Sequence, residues 1–302
     1  MTAAAEALRF QIGARTIFSV PRRLRRVALS LEEALAAGSP TVSPLTALEE
    51  GVRITSVPER LAGEFGWAGW IVYVRQRYVR HYADLTIGHV AWLAGLSANA
   101  RSALRRKQKK LAQHLDGVAI SGFRTVTELA EFHALARPLA ALTYQERLLG
   151  SGLPDTPDFL ARQAALAAED RVRAWLMTLG GRPIAYLWCS AEGDALCYDY
   201  VGHDPALAEL SPGTVLHAAA FEDLFAEGRF RLFDFSEGEG QHKRQFATGG
   251  VPCVDLLLLR PTLANRALVA ALGSFDRAVA VAKRMATGPA LAGLARRVRR
   301  AA

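Results

Sequence analysis

Hydrophobic residues in the second half of the chain occur in short continuous runs separated by glycine-containing or polar turns. Such runs, when rich in apolar and β-branched residues, are typical of strands. We therefore predict strands over 172–179, 184–189, 195–201, 230–235 and 254–259. Helices are predicted from 212 to about 227, where Ser211 and Pro212 are residue types that helix starts prefer, and over 241–246.

The first half of the chain has a less regular pattern. Residues 28–37 are predicted to be helical because Ser30 and Glu33 have the spacing of a capping box. Further strands are predicted over 14–20, 70–78 and 118–123, and further helices over 87–115, 127–149 and 158–170. Together the elements predict an α/β (α+β) fold with a mixed, mainly antiparallel sheet flanked by helices.

Composition places the chain among globular proteins. Its 302 residues are 51% hydrophobic and 22% charged, which suits one large or two modest domains and excludes a disordered chain. The three cysteines exclude a disulfide framework and lack the spacing of metal ligands, so we predict no metal and a cytoplasmic, reducing location. We also expect neither a signal peptide nor a transmembrane helix.

Positive charge is concentrated at the end of the chain. The formal net charge is +8, and the segment from Arg260 onward contains nine Lys or Arg residues and one acidic residue, Asp276. The rest of the chain is therefore close to neutral. Because a nucleic-acid-binding domain spreads its basic residues over a face of the fold, we expect no nucleic-acid partner.

Two basic stretches have more than one interpretation. In the tail, residues 261–302, apolar residues recur at helical spacing up to a break at Pro289. This tail is either a basic amphipathic helical segment at the inner face of an anionic membrane or a helix that packs on the domain with its arginines in water. The stretch 101–110 is either a solvated helix face or a face near a phosphate or a membrane.

Two other segments contain candidate chemistry. A helix that starts at 212 exposes backbone N–H groups and the positive end of its dipole, which together can bind a pyrophosphate. Gly213 allows a ligand to approach this backbone closely. The segment 233–243 combines acids, glycines, a histidine and a lysine at the end of a strand, where functional sites often lie. The alternative for this segment is an ordinary acidic loop that caps the next helix.

The order and spacing of several short pieces resemble the GNAT acyltransferase superfamily. The pieces are 179–185 (LGGRPIA), 196–200 (LCYDY), 210–216 (LSPGTVL), 233–238 (FDFSEG) and the pair His242–Lys243. They are most similar to the FemAB-like branch of cellulose-biosynthesis-type acetyltransferases, which the basic stretch RSALRRKQKKL also resembles.

This resemblance implies a GNAT fold in which two adjacent parallel strands separate and hold the pantetheine arm of an acyl thioester. Here those strands are 196–201 and 231–235. The residues implied to bind the donor are Tyr200, Val201, Gly202, Ser211, Gly213 and Thr214. Because LSPGT replaces the usual Q/R-x-x-G-x-G/A loop, acyl-coenzyme A and an acyl carrier protein both remain open as the donor.

FemAB-like proteins often contain two GNAT-like halves in tandem. By this resemblance, residues 1–150 are expected to form a degenerate N-terminal half and residues 151–260 the catalytic half. The basic helical tail 261–302 then follows as a separate segment.

Acyl transfer to an amine needs a base for the amine proton, a donor for the developing oxyanion and a proton for the leaving thiolate. We assign the base role to His242 or Glu237 and a positioning or proton-donating role to Tyr200. Asp234 is expected to orient His242 or Lys243, the alternative being an ion pair with a buried arginine or a bond to a backbone amide. Strand alternation predicts that Tyr198 and Tyr200 share one face, with Asp199 on the other.

The acceptor site is predicted from one further segment. Tyr144, Glu146 and Arg147 are spaced for adjacent turns of a helix that, by the resemblance, faces the acceptor. A buried salt bridge is the alternative for these residues. Asp199 and Lys243 complete the candidate acceptor residues.

Three functions compete at this stage. The first is acylation of a lipid-like amine such as a sphingoid long-chain base, as in bacterial ceramide synthase-like proteins, and the basic stretches favour it. The second is acylation of an amino acid, amino sugar or exopolysaccharide unit. The third is a non-catalytic module that keeps the GNAT fold, and the polar segment around His242 argues against it.

Overall fold

A computed structural model describes residues 5–12, 15–36, 46, 49–63, 69–114, 117–143, 152–238 and 240–287. The chain divides into two compact units. Unit 1 comprises Met1–Leu29, Ser39–Arg77 and Val254–Ala302, and unit 2 comprises Ser30–Gly38 and Tyr78–Cys253. These boundaries differ from the sequence-based ones at 150 and 260, because segments far apart in sequence pack into one unit.

Unit 1 is built on strands from both ends of the chain. Its elements are β1 (Ala5–Ile12), β2 (Arg15–Ala28), β3 (Gly51–Pro58), the first part of β4 (Ile71–Asp84), the second part of β10 (Gly249–Leu259) and α8 (Leu263–Thr287). The strand order is β1-β2-β3-β10-β4. β1 and β2 are antiparallel, whereas β2 and β3 are parallel.

The apolar face of α8 is occupied within unit 1. Leu268 and Leu272 are buried in a cluster with Leu8, Phe10, Leu24, Leu257 and Leu259. Burial of this stripe accounts for its helical spacing without a membrane. The expectation of a free amphipathic face is therefore corrected for the described part of the tail; residues 288–302 lie outside the described residues.

Unit 2 contains most of the helices. They are α1 (Leu31–Leu35), α2 (His89–Gly95), α3 (Ala98–Ala112), α4 (Val126–Leu142), α5 (Pro157–Ala168), α6 (Pro212–Glu227) and α7 (Gln241–Phe246). Its complete strands are β5 (Val118–Phe123), β6 (Val172–Leu179), β7 (Arg182–Glu192), β8 (Ala195–His203) and β9 (Leu232–Asp234). The strand order is β10-β4-β9-β8-β7-β6-β5. β5 to β8 form an antiparallel meander, and the predicted mixed, mainly antiparallel α/β fold is confirmed.

Several helices predicted from local sequence signals are present in the structure. Ser30 and Glu33 form the capping box of α1, and α6 and α7 have the predicted bounds. The single helix predicted over 87–115 is instead two helices. Ser97 caps α3 by accepting a hydrogen bond from the amide of Ala100, and the guanidinium of Arg101 binds the carbonyls of Ala94 and Leu96 at the end of α2.

The meander of unit 2 is covered on both faces along β6 and β7, whereas most residues of the edge strand β5 are exposed. On one face it packs against α2, α3 and α6 through a cluster that includes Trp92, Leu104 and Phe221. On the other it packs against α4 and α5 through Phe132 and Phe159. Because both faces are covered, the strands read as continuous apolar runs. Within the described residues, no helix has the length and hydropathy to cross a membrane.

Candidate active site

The parallel pairing between β8 and β9 is short. It joins Ala195 to Leu232, Leu196 to Phe233 and Cys197 to Asp234. β8 then continues to His203, whereas the chain after β9 turns away with Ser236 in the left-handed region at φ +57°. The parallel pair predicted from the resemblance is confirmed, and beyond it the hydroxyl of Ser236 still donates to the carbonyl of Tyr198 at 3.3 Å.

A β-bulge changes which side chains of β8 lie on each face of the sheet. Cys189 on β7 pairs with Tyr198 and Trp188 pairs with Tyr200, so Asp199 is the extra residue between them. Such an insertion reverses the alternation of side chains beyond it. The prediction that Tyr198 and Tyr200 share a face is therefore wrong.

The two tyrosines accordingly pack in different layers. The ring of Tyr198 contacts His217 and Phe235 on the α6 side of the sheet. The ring of Tyr200 contacts Phe159 and Trp188 on the α5 side. Tyr198, which had no assigned role in the sequence analysis, therefore takes the position expected for Tyr200.

A cavity of about 220 Å³ lies where the strands separate. It is lined by Tyr198, Val201, Gly202, His203, Gly213, Thr214, His217, His242 and Phe246. Of the donor-binding residues predicted from the resemblance, Val201, Gly202, Gly213 and Thr214 line it. Tyr200 and Ser211 are described but are not among its lining residues.

Glycine is required at position 202 because a Cβ there would lie 2.5 Å from the ring of Tyr186. At position 213 the situation differs, since a Cβ would lie 3.7 Å from Nδ1 of His203, an ordinary contact distance. Gly213 therefore leaves space at the start of α6 and is not imposed by packing.

The start of α6 is electropositive and lacks the predicted serine cap. Ser211 adopts left-handed backbone angles, and within the described structure its side chain makes no capping hydrogen bond. Nζ of Lys107 on α3 donates to Oγ1 of Thr214 at 3.2 Å, and Nζ of Lys110 donates to the carbonyl of Glu209 at 3.2 Å. Of the two interpretations of the basic stretch, its position beside a candidate phosphate site is the one that these contacts favour.

Tyr198 and His242 form a hydrogen-bonded pair in the cavity. The phenol oxygen of Tyr198 lies 3.4 Å from Nε2 of His242. Partial desolvation of the imidazole in the cavity, together with the charge of Lys243, lowers the pKa of His242, which favours the neutral imidazole that can accept a proton. Burial raises the pKa of Tyr198 well above its ordinary value, so the phenol keeps its proton.

His217 is a cavity residue that the sequence analysis missed. It lies on α6 with 4% of its surface exposed, and within the described residues its Nε2 has no hydrogen-bond partner. Burial lowers its pKa to about 3, so it is neutral. A histidine in the middle of an apolar helix gives no local sequence signal that its side chain lines a cavity.

The other predicted catalytic residues are engaged elsewhere. Asp234 is 1% exposed and forms an ion pair with Arg80, whose Nη2 lies 2.5 Å from its Oδ2. It thus pairs with a buried arginine and does not orient His242 or Lys243. Lys243 is buried and donates from Nζ to the backbone carbonyl of Glu237 at 2.6 Å. Glu237 is exposed and is not among the residues lining the cavity.

The predicted acceptor residues are only partly described. Oδ2 of Asp199 accepts hydrogen bonds from the amide and hydroxyl of Ser190 at 2.8 and 2.7 Å. Burial of the carboxylate raises the pKa of Asp199 to about 6. Tyr144, Glu146 and Arg147 lie outside the described residues. Among the residues that are described, no group of three His, Cys, Asp or Glu side chains could hold a metal ion.

Comparison with solved structures shows the fold. The C-terminal DUF2156 domain of a putative lysylphosphatidylglycerol synthetase from Agrobacterium fabrum is 12% identical, with a TM-score of 0.51 over 76% of this chain and 72% of that chain. FemX is 9% identical, with a TM-score of 0.48 over 70% and 72% of the two chains. A GCN5-related N-acetyltransferase from Kribbella flavida is 14% identical, with a TM-score of 0.37 over 71% and 70%.

Comparison with sequences identifies the domain. No curated protein matches the chain. Residues 98–244 match the family model described as an acetyltransferase (GNAT) domain, a segment that includes α3, α6, β8, β9 and the residues lining the cavity up to His242. The chain therefore contains a GNAT acetyltransferase domain and is an acyltransferase of the GNAT type.

Proposed function

We propose that the protein transfers an acyl group from acyl-coenzyme A to the nitrogen of a primary amine, with the cavity between β8 and β9 as the active site. The observation that carries this proposal is that one cavity joins the open start of α6 to the Tyr198–His242 pair. It thus contains both a place for phosphates and a place for proton transfer.

The donor fits this cavity in one direction. Its pyrophosphate binds at Gly213 and Thr214, where the positive end of the helix dipole and the ammonium group of Lys107 provide positive potential. From His203, beside Gly213, to Tyr198, β8 advances by five residues, or about 16 Å. An extended pantetheine arm along β8 therefore brings the thioester to Tyr198 and His242.

The paired side chains complete a balanced proton cycle. The amine nitrogen attacks the thioester carbonyl carbon, and His242 accepts the proton that the nitrogen loses. As the carbon–sulfur bond breaks, the phenol of Tyr198 donates its proton to the departing sulfur. The imidazolium of His242 then returns a proton to the phenolate across the 3.4 Å contact. The products are an amide and a free thiol, and both side chains regain their starting states.

The acceptor that we favour is a soluble amine. A lipid-like amine was supported mainly by the basic tail and the basic stretch 101–110. The apolar face of α8 packs within unit 1, which explains its helical spacing without a membrane. Lys107 and Lys110 make hydrogen bonds around the start of α6, which explains two basic residues of the stretch 101–110. A sphingoid base, an anionic membrane surface and membership of the FemAB-like branch therefore remain hypotheses, as does an acyl carrier protein as donor.

The test is a transfer assay on the full chain. Acetyl-coenzyme A is incubated with an amino acid, an amino sugar and a sphingoid base in parallel, and free thiol and N-acyl product are measured. We expect thiol release that depends on a soluble amine and is lost in His242→Ala. Product from the sphingoid base alone would reverse the acceptor assignment. Wild-type protein that binds the donor yet acylates none of these amines would contradict the proposed function.

A further inference from the structure

Aromatic rings close the cavity at the end where the thioester is placed. The imidazole of His217 lies between the rings of Tyr198 and Phe246, with centroid distances of 5.3 and 4.6 Å and interplanar angles of 16° and 4°. Three more rings surround the same imidazole at 5.0 to 5.5 Å, those of Phe221, Phe233 and Phe235. All three are fully buried, so the wall behind His217 is closed.

This closed wall limits the size of the acyl group. The cavity measures about 220 Å³ and must also hold part of the pantetheine arm. The space therefore suits an acyl group of a few carbons.

The polarity of the wall distinguishes one kind of short acyl group from another. Nε2 of His217 is buried and has no hydrogen-bond partner among the described residues. Buried polar atoms in proteins almost always have a partner, and one without a partner destabilises the fold. Aromatic rings cover both faces of the imidazole, and the ring lines the cavity. The missing partner is thus best supplied by a molecule bound in the cavity.

We propose that the acyl group is short and carries a hydroxyl or a similar hydrogen-bonding substituent, which pairs with Nε2 of His217. This inference rests on the proposed function, because it places the thioester beside Tyr198. A hydroxyl suits either tautomer of a neutral imidazole, since it can both donate and accept. The neutral state is consistent with the strongly lowered pKa of His217.

The experiment compares donors matched in length but not in polarity. Affinities of the full chain for butyryl-, 3-hydroxybutyryl- and decanoyl-coenzyme A are measured by calorimetry, for wild type and for His217→Phe. Phe keeps an aromatic ring between Tyr198 and Phe246 but removes the nitrogen. We expect wild type to bind the hydroxyacyl donor at least about tenfold more tightly than the butyryl donor, and decanoyl most weakly. The variant should lose the preference for the hydroxyacyl donor over the butyryl donor.

The possible results separate the two proposals. Equal wild-type affinities for the two four-carbon donors, or tightest binding of decanoyl-coenzyme A, would overturn the inference, and this comparison needs no variant. A hydroxyacyl preference that persists in a folded His217→Phe protein would overturn the role of His217. Wild-type protein that binds neither these thioesters nor coenzyme A itself would contradict the donor site, and with it the proposed function.

Discussion

Tyr198 and Tyr200 are chemically identical, and the difference in their roles comes from one bulged residue. Asp199 is inserted opposite β7, so the two rings lie on opposite faces of the sheet. Only Tyr198 lines the cavity and lies within hydrogen-bonding distance of His242. The pair therefore offers a matched test of the catalytic assignment.

We expect Tyr198→Phe to lower kcat by about 10²-fold or more, because it removes the proton that the leaving thiolate receives. Tyr200→Phe should leave kcat within about a factor of two, since its ring stays packed against Phe159 and Trp188. The measurement is steady-state thiol release at saturating donor. The opposite ranking of the two variants would return the proton-donating role to Tyr200.

His217 makes stability depend on pH. In the unfolded chain its imidazole takes up a proton near its ordinary pKa of 6.5, whereas in the folded protein burial lowers that pKa to about 3. Below pH 6.5 the unfolded state therefore binds more protons, and this group lowers the free energy of unfolding by up to about 1.4 kcal/mol per pH unit until about pH 3.

Chemical unfolding of wild type and His217→Phe between pH 7 and pH 4 measures this effect. The free energy of unfolding of wild type should fall more steeply toward acid than that of the variant. Curves that stay parallel across this range would show that His217 is not buried in its neutral form.

At the scale of elements, the first turn of α6 is the proposed binding site for the pyrophosphate of the donor. Gly213 has room for a side chain, with His203 at 3.7 Å as the nearest contact. Gly213→Asp places a negative charge where the pyrophosphate is proposed to bind, so donor affinity should fall at least tenfold, or about 1.4 kcal/mol.

Gly213→Asn is the matched control for this substitution, since it has nearly the same size without the charge. It should weaken binding much less, and the fold of both variants can be verified by circular dichroism. Equal loss of affinity in both variants would mean that size matters at this position and charge does not. Unchanged affinity in both would place the phosphates elsewhere.

At the scale of the whole molecule, unit 1 is assembled from the two ends of the chain, and α8 is part of its core. Leu272 is fully buried, whereas Val281 on the same helix is 54% exposed. Leu272→Ala should lower the free energy of unfolding by about 2 to 5 kcal/mol. Val281→Ala should change it by less than about 0.5 kcal/mol. Urea unfolding measures both, and equally small effects would mean that α8 does not pack on unit 1 in solution.

The sequence alone determined the features that depend on neighbouring residues. Apolar runs and turn residues located the strands of the meander, because alternating turns and runs are local signals. The capping box at Ser30 and the start of α6 at Pro212 follow from preferences within one helical turn. The position of the gap between 196–201 and 231–235 came from the resemblance, which itself rests on short local pieces.

Only the tertiary structure decided the features that depend on register and on distant partners. A one-residue bulge at Asp199 reverses the side-chain alternation that any periodic pattern assumes, so Tyr200 was chosen where Tyr198 lies in the cavity. Asp234 pairs with Arg80, which is 154 positions away in the sequence. The apolar residues of α8 pack against strands from the start of the chain. A residue's nearest partner in space is set by how the whole chain packs, and local sequence contains no measure of that distance.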